Sequence, residues 1–463
     1  MKGSTRRQGI MELSEGYTRD MSGSQIVSTR QRQIAGHAKQ AADMSFTSLN
    51  KHLDIEWMRE AYRRTRKDGA VGVDGQTASD YEANLELNLA DLLERAKSGR
   101  YIAPPVRRVH IPKGDGTTET RGIGIPTFED KVLQRAVAML LEPVYEQDFL
   151  DESYGFRPKR SAHQALAKIW KTTMDLHDGW VLEVDIRKYF DSLVKPHLQE
   201  LLKLRVRDGV VQRLIGKWLQ AGVMENGNTE HPETGVPQGG VISPILSNVY
   251  LHFVLDLWFQ NEVAPRLKGR AELIRYADDF LIVFAAKDDA VRVMEAMPKR
   301  FERFGLTIHP EKTRLLRFGR PRARSKTSSL PKPQPSQTFI FLGFTHYWGK
   351  SRKGRWVVKR KTAPSRLKRA ITNTYAWCKK HRHRPIEEQH TALKRKLEGH
   401  YGYYGITGNA DSLDKYRMAV LRTWRKWLDR RSQKSHMPFK KFRKLLARYP
   451  LPGTRVVHSV YGT

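Results

Sequence analysis

The chain has 463 residues and one cysteine, Cys378, and that shortage removes two classes of protein at once. A lone thiol closes no internal disulfide, so a disulfide-stapled secreted fold is excluded, and it supplies no thiolate set for a structural zinc site. Long apolar runs are missing too. No stretch approaches the ~18 consecutive apolar residues of a membrane-spanning helix, and the opening MKGSTRRQGIMELSEGYTRD is charged where an export signal has its apolar segment. The expected setting is therefore cytoplasmic and free of membrane. The third shortage is of acid: 49 Asp and Glu stand against 83 Lys and Arg, a net charge of +34. With 39% hydrophobic residues the chain is too apolar for a disordered basic tail. The charge belongs to a folded body that repels itself until a polyanion neutralises it, and nucleic acid is the expected partner.

Along the chain, residues 1–45 are polar, basic and without apolar periodicity, which predicts a flexible extension contributing little core. Residues 46–97 turn helical, with Leu85, Leu89, Leu92 and Leu93 at three- and four-residue spacing around the loop KDGAVGVDGQT. Short strands are expected over 101–126, then a helix over 129–145 with Val132, Ala136, Val137 and Leu140 on one face. Strands follow at 180–185, 273–284 and 338–347, with an amphipathic helix at 291–304 and a Pro/Ser/Lys loop at 321–335. From Lys359 onward there are 27 Lys and Arg against 6 Asp and Glu, which marks a separate basic helical region. The expected class is α+β.

The chemistry concentrates at Tyr276-Ala277-Asp278-Asp279, set between Leu273-Ile274 and Phe280-Leu281-Ile282-Val283. Adjacent carboxylates in an apolar hairpin repel unless a cation neutralises them, which suggests a divalent metal; alone, the doublet serves equally as an ordinary surface turn. A further acid, Asp185, ends the strand 180–185, where alternation puts Trp180, Leu182 and Val184 on the packed face. If that strand pairs with the hairpin, Asp185 and Asp278 can hold two cations about 3.5–4 Å apart, the spacing used to activate a hydroxyl and steady a leaving pyrophosphate. Oxygen ligands with retained water favour Mg²⁺, two ions, with Mn²⁺ as a substitute. Between the acids lies Gly235-Val236-Pro237-Gln238-Gly239-Gly240, a loop whose missing Cβ atoms allow backbone to approach a ligand.

The order IPK…RGIGIPTFEDKVLQRAV, SYGFRPKRSAHQAL, VLEVDIRKYFDSL, GVPQGGVISPILSNVYL, RYADDFLIVF, FGLTIHPEKT and FIFLGF resembles the successive motifs of a reverse transcriptase, specifically the reverse transcriptase/maturase of bacterial group II introns. Residues 393–405 resemble that family's thumb or maturase segment. The resemblance implies a right-hand polymerase with an antiparallel palm sheet: helical extension and fingers over 46–179, palm over 180–358, thumb and maturase helices over 359–430, and a basic nucleic-acid-binding segment over 431–463. It implies a catalyst of RNA-directed DNA synthesis that binds group II intron RNA or another structured RNA, a DNA primer or target, and deoxynucleoside triphosphates, joining the nucleoid when on DNA. Two alternatives share these motifs: a splicing cofactor with vestigial polymerisation, and a host-adopted enzyme of repair or defence. Relatives often carry a cysteine-bearing endonuclease, which is expected to be absent here. The segment Thr-Arg-Gly-Ile-Gly-Ile-Pro also departs from the Arg-Pro-Leu usual in relatives, while retaining Arg121.

By the same resemblance Asp185 and Asp278 are the principal metal ligands, Asp279 a supporting acid and Ile186 a backbone contact to metal and triphosphate. Phe190 is the steric gate beneath the sugar; its bland role is core packing with Tyr189. Lys113 and Arg121 would neutralise triphosphate charge, Gln238 would lie near the nascent pair, and Lys312 is a candidate proton donor to pyrophosphate. In the basic region Trp424 and Trp427 bury one helix face while Arg422, Arg425, Lys426, Arg430 and Arg431 track a phosphate backbone. Tyr401, Tyr403 and Tyr404 suit either stacking on bases or core packing.

Overall fold

The computed structural model describes residues 23–459 apart from 42, 113–118, 226, 232, 236–238, 322–336, 433 and 435. Lys113 and Gln238 lie outside the described residues, as do residues 1–22 and most of the 321–335 loop. Among the described residues no helix is long and apolar enough to cross a membrane.

The first described element corrects an expectation. Helix α1 (Gly23–Gln40) buries Val27, Ile34 and Ala38, so this part of the 1–45 segment is ordered and contributes core. The apolar stripe is thin, and polar side chains supply the other contacts. Arg30 pairs with Asp54 at 2.5 Å, and Gln31 donates to the Met139 carbonyl at 2.9 Å. Helix α2 (Ile55–Arg64) begins where Asp54 accepts the Trp57 N–H, satisfying one of the donors that a helix start leaves open. Helix α3 (Leu85–Ser98) packs against α2 through Leu89, Leu92 and Ala96. Trp57 is buried and its indole donates to the Ala136 carbonyl of α4 (Phe128–Tyr145) at 2.9 Å. Helix α4 is buried on nearly every side, because α1 and α2 cover one flank and α6 (below) another.

The described strands are β1 (Val106–Pro112), β2 (Thr120–Ile125), β3 (Trp180–Val184), β4 (Val223–Glu225), β5 (Asn228–Glu230), β6 (Ala271–Tyr276), β7 (Asp279–Phe284), β8 (Arg314–Arg317), β9 (Phe339–Phe341), β10 (Phe344–Lys350) and β11 (Trp356–Thr362). They form sheets ordered β2-β1-β4-β5, β6-β7-β3-β8 and β11-β10-β9. The second sheet is antiparallel throughout, and β3 lies between β7 and β8, with Trp180 opposite Phe284 and Val184 opposite Phe280. Alternation along β3 and β7 sends Leu182, Val184, Phe280 and Ile282 into one core and Val181, Leu281 and Val283 into a second. Both faces are therefore packed, where one packed face was expected for β3. Helices α5 (Ala162–Leu176), α6 (Ser243–Leu251) and α7 (Lys287–Glu302) complete this body. Of these, α5 and α7 contact the central sheet directly.

The change of composition at Lys359 falls inside β11. Charged residues alternate there with inward-facing ones, so Val358, Arg360 and Thr362 are buried while Lys361 is exposed. Helices α8 (Pro364–Lys380), α9 (Ile386–Tyr404), α10 (Ala410–Leu428) and α11 (Phe439–Arg448) then share a core around Leu397, Tyr401, Trp424 and Phe442. Phe442 of the 431–463 segment packs edge-on against Trp424 at 5.8 Å, which ties that segment to the helical region.

Two buried histidines make stability depend on pH. His346 is fully buried, stacked on Phe339 at 4.5 Å, and neither ring nitrogen is hydrogen-bonded among the described residues. Burial first, and the Arg360 guanidinium second, hold its pKa well below the ordinary 6.5. Burial likewise holds His252 down to about 4. Unfolded, both histidines take a proton near pH 6.5; folded, they resist it. The unfolded state thus binds more protons below that pH, and stability falls as pH falls, by up to about 1.4 kcal/mol per pH unit for each histidine. Denaturant midpoints measured from pH 7 to pH 5 should decrease, and His346→Phe should flatten the decrease; an unchanged slope in that variant would contradict the assignment.

Candidate active site

The turn joining β6 to β7 is held from below. Tyr276 pairs with Asp279, so Ala277 and Asp278 form the turn, and Ala277 adopts a left-handed φ of 57°, a conformation costly for a residue with a Cβ. Arg275, fully buried, braces it. Its guanidinium donates to the Ala277 carbonyl at 3.1 Å, to Asn248 Oδ1 at 2.9 Å and to both Asp256 oxygens at 2.8 and 2.5 Å. Asn248 of α6 in turn donates to the Gly155 carbonyl at 2.7 Å, and Tyr154 N–H donates to the Arg275 carbonyl at 2.8 Å. A Cβ at Gly155 would stand 2.3 Å from the Ala277 nitrogen, so only glycine fits against the turn. The motifs SYGF and SNVYL are therefore mechanical supports of YADD. Sequence reading missed Arg275, Asp256, Asn248 and Gly155 as parts of the site; an arginine inside the apolar run LIRYADDFLIVF was the signal.

Asp185 reaches the same place from β3. Carried one residue beyond Val184–Phe280, the register sets Asp185 opposite Asp279. The Asp185 main chain is fixed by His309 N–H on its carbonyl at 2.8 Å and by Thr313 Oγ1, which accepts its N–H at 3.3 Å. Ile186 is buried and bridges Ile308; the bonds of this bridge use Arg187 and Asp185, so the Ile186 main chain stands outside the ladder. Lys312 Nζ lies 3.5 Å from Asp185 Oδ2.

The three acids feel one another. Burial raises the Asp278 pKa and the Asp185 charge adds to it, against the opposing fields of Arg121 and Arg275. Desolvation, then the charges of Asp278, Asp185 and Glu183, push Asp279 up, although water still reaches that carboxylate at the rim. Such mutual repulsion fits a cation bound through hard oxygen ligands. Among the described residues, no group of three or more His, Cys, Asp or Glu side chains is arranged to hold a metal ion by itself.

Around these acids the structure gathers some of the expected residues and not others. Arg121 on β2, opposite Ile111, acts on Asp278. Two glycines of the loop are in close contact with their surroundings: a Cβ at Gly239, whose φ is +114°, would meet the Gly124 carbonyl of β2 at 2.5 Å, and one at Gly235 would stand 3.1 Å from the Asp191 main chain after β3. Phe190 is half-buried and packs edge-on against buried Tyr189 at 5.1 Å, leaving part of its ring to solvent. Arg422, Arg425, Lys426 and Arg430 are exposed on or just beyond α10, in the helical region rather than beside the carboxylates. Arg431 departs from expectation. Its guanidinium donates to the Arg382 carbonyl at 2.6 Å and to the Arg384 carbonyl, so it holds the α8–α9 connection. Tyr401 is fully buried; Tyr403 is half-buried and donates to the Leu342 carbonyl at 2.9 Å.

Comparison with known proteins follows this geometry. Residues 111–346 match the family model described as reverse transcriptase (RNA-dependent DNA polymerase). The chain is 32% identical to Protein YkfC of Escherichia coli over 371 residues, covering 71% of this chain and 90% of that protein. It is 36% identical to the group II intron-encoded protein LtrA of Lactococcus lactis over 231 residues, covering 48% of this chain and 38% of that protein. A putative COX1/OXI3 intron 1 protein of Saccharomyces cerevisiae is 26% identical over 325 residues, covering 58% of this chain and 38% of that protein. The matched regions thus span less than half of the two intron-encoded relatives. The fold is that of a right-hand polymerase.

Removing one member of the buried pair under the turn leaves an uncompensated charge, at a cost of about 3–5 kcal/mol. Asp256→Ala should therefore lower the unfolding free energy by that amount in urea denaturation. A variant as stable as the parent would show that the pair does not brace the turn.

Proposed function

The chain belongs to the reverse transcriptase family of RNA-dependent DNA polymerases, and on that premise we propose that it extends a DNA primer along an RNA template at Asp185, Asp278 and Asp279. The convergence of these three mutually repelling carboxylates on one sheet end carries the reading. Asp185 and Asp278 would hold Mg²⁺, two ions, with Asp279 beside them and the Ile186 main chain facing the same space. Bound there, the metal supplies Lewis-acid stabilisation of the attacking 3′-oxygen and the departing pyrophosphate. Arg121 offsets triphosphate charge, as its field at Asp278 supports. Lys312, whose Nζ lies 3.5 Å from Asp185 Oδ2, would give a proton to pyrophosphate. The exposed part of Phe190 lies under the sugar of the incoming nucleotide and rejects a 2′-hydroxyl. Lys113 and Gln238, outside the described residues, are proposed on the family resemblance alone to contact the triphosphate and the nascent pair.

In this reading, residues 46–179 serve as helical extension and fingers, 180–358 as palm, 359–430 as thumb and maturase helices, and 431–463 as a basic nucleic-acid-binding segment whose Phe442 packs onto the thumb. Group II intron RNA is the proposed structured partner, bound for splicing and retrohoming. The intron-encoded relatives and the exposed Arg422, Arg425, Lys426 and Arg430 support it. Phosphate contacts there release counterions, so binding should weaken steeply with salt. The intact carboxylates favour retained synthesis over a purely RNA-binding role.

Primer extension on an RNA template tests both main assignments. Asp278→Ala should lose at least about a thousandfold in rate, the scale expected when charge stabilisation is removed from a transition state; undiminished synthesis would end the proposal. Phe190→Ala should raise ribonucleotide incorporation relative to deoxynucleotide, and unchanged discrimination would remove the gate.

A further inference from the structure

The half-buried ring of Phe190 stands on a piece of backbone too short to hold its own shape. Tyr189–Ser192 is a single helical turn of four residues, entered through Lys188 at a left-handed φ of 47°. Closing one turn orders about six dihedral angles for one hydrogen bond, so a turn this short is unstable alone, and a left-handed entry by a residue with a Cβ adds strain. The geometry is therefore imposed from outside. From the segment before the glycine loop, Thr234 Oγ1 donates to the Asp191 carbonyl at 3.1 Å and Gly235 N–H to the Leu193 carbonyl at 2.8 Å. A Cβ at Gly235 would stand 3.1 Å from Asp191 Cα and 3.2 Å from the Phe190 carbonyl, so this segment presses directly on the turn.

The second support comes from α6. The Tyr189 hydroxyl donates to the Ser247 carbonyl at 3.0 Å, and Ser247 Oγ donates to the Tyr189 hydroxyl at 3.3 Å. Tyr189 is only 2% exposed, so these bonds form away from solvent. The hydroxyl adds direction rather than packing: a phenylalanine would fill the same apolar place and meet Phe190 edge-on just as Tyr189 does, at 5.1 Å. Ser247 is followed by Asn248, which accepts from the Arg275 guanidinium and donates to the Gly155 carbonyl beneath the catalytic turn. Two consecutive residues of one helix thus hold the turn under Phe190 and the turn that carries Asp278. A gate works by contact, and contact energy changes steeply over fractions of an ångström, so the ring discriminates only if the turn beneath it does not yield.

Resting on the polymerase reading and its gate at Phe190, we propose that Tyr189 is a specificity-positioning residue. By tying the gate turn to Ser247 it fixes the height of Phe190 relative to the catalytic turn, and so sets how strictly a 2′-hydroxyl is refused. Tyr189 itself touches neither sugar nor metal. Helix α6 acts as a ruler between the gate and the carboxylates, with Ser247 as the mark for one and Asn248 as the mark for the other.

The test is primer extension by the full chain on an RNA template, with one matched deoxynucleotide and its ribonucleotide counterpart, read as the ratio of the two kcat/KM values. Misfolded enzyme lowers both values alike and leaves the ratio unchanged, so the ratio separates positioning from a merely structural role. Tyr189→Phe should lower the preference for the deoxynucleotide about fivefold, the scale of one hydrogen bond between neutral groups. Ser247→Ala should lower it less, because the Ser247 carbonyl still accepts the tyrosine proton. Phe190→Ala, measured alongside, should lower it most. A ratio unchanged or higher in Tyr189→Phe, with Phe190→Ala lowered, would overturn the positioning role and leave the gate standing. An unchanged ratio in Phe190→Ala would remove the gate and the role of Tyr189 with it. Absence of synthesis by the parent would contradict the polymerase reading, and both assignments would fall.

Discussion

The molecule is organised around a repulsion. Three carboxylates arrive from two strands at the rim of a sheet whose faces are both packed, close enough that Asp185 and Asp278 raise the pKa of Asp279. The apolar sheet does not by itself favour that arrangement. It is imposed by the Arg275–Asp256 pair, which spends a wholly buried guanidinium on one turn carbonyl, one asparagine and one aspartate. Buried ion pairs are weak contributors to net stability, so the role that fits this one is geometric: it fixes where Asp278 and Asp279 stand.

From that anchor the other motif segments of the chain acquire physical reasons. Gly155 must lack a Cβ because the turn occupies its space, and Gly239 must because β2 does. The segment between the 287–302 helix and β8 is needed because His309 and Thr313 clamp Asp185. The carboxy-terminal helices begin at the β9–β10 turn, where Ala363 N–H donates to the Gly343 carbonyl. Positive charge is thus used in two ways. A few cations act on the carboxylates, and many stand exposed on the carboxy-terminal helices.

Much of this was legible in the sequence, and what was not has identifiable causes. The doublet at 278–279, the strand ending at Asp185 and the helix 287–302 could be read because short apolar strands and amphipathic helices carry their period openly. The helix 23–40 could not, since only three of its eighteen residues, Val27, Ile34 and Ala38, are buried apolar ones and make a faint stripe. The packing of both sheet faces was hidden because alternation along β3 looks the same whether the second face meets solvent or another core. Arg431 looked like one more surface cation; only the fold reveals the two carbonyls that occupy it. Arg275 was concealed in the same way, as one basic residue among 83.

The central claim, that the three acids exist to hold divalent metal against a nucleotide, is tested most directly by counting Mn²⁺ bound to the full chain by electron paramagnetic resonance. The sample holds an RNA–DNA primer–template with a blocked 3′ end and the next deoxynucleotide. Two bound ions in the parent and a loss in Asp185→Asn and Asp278→Asn are the expected results. Equal occupancy in the parent and both variants would contradict the account.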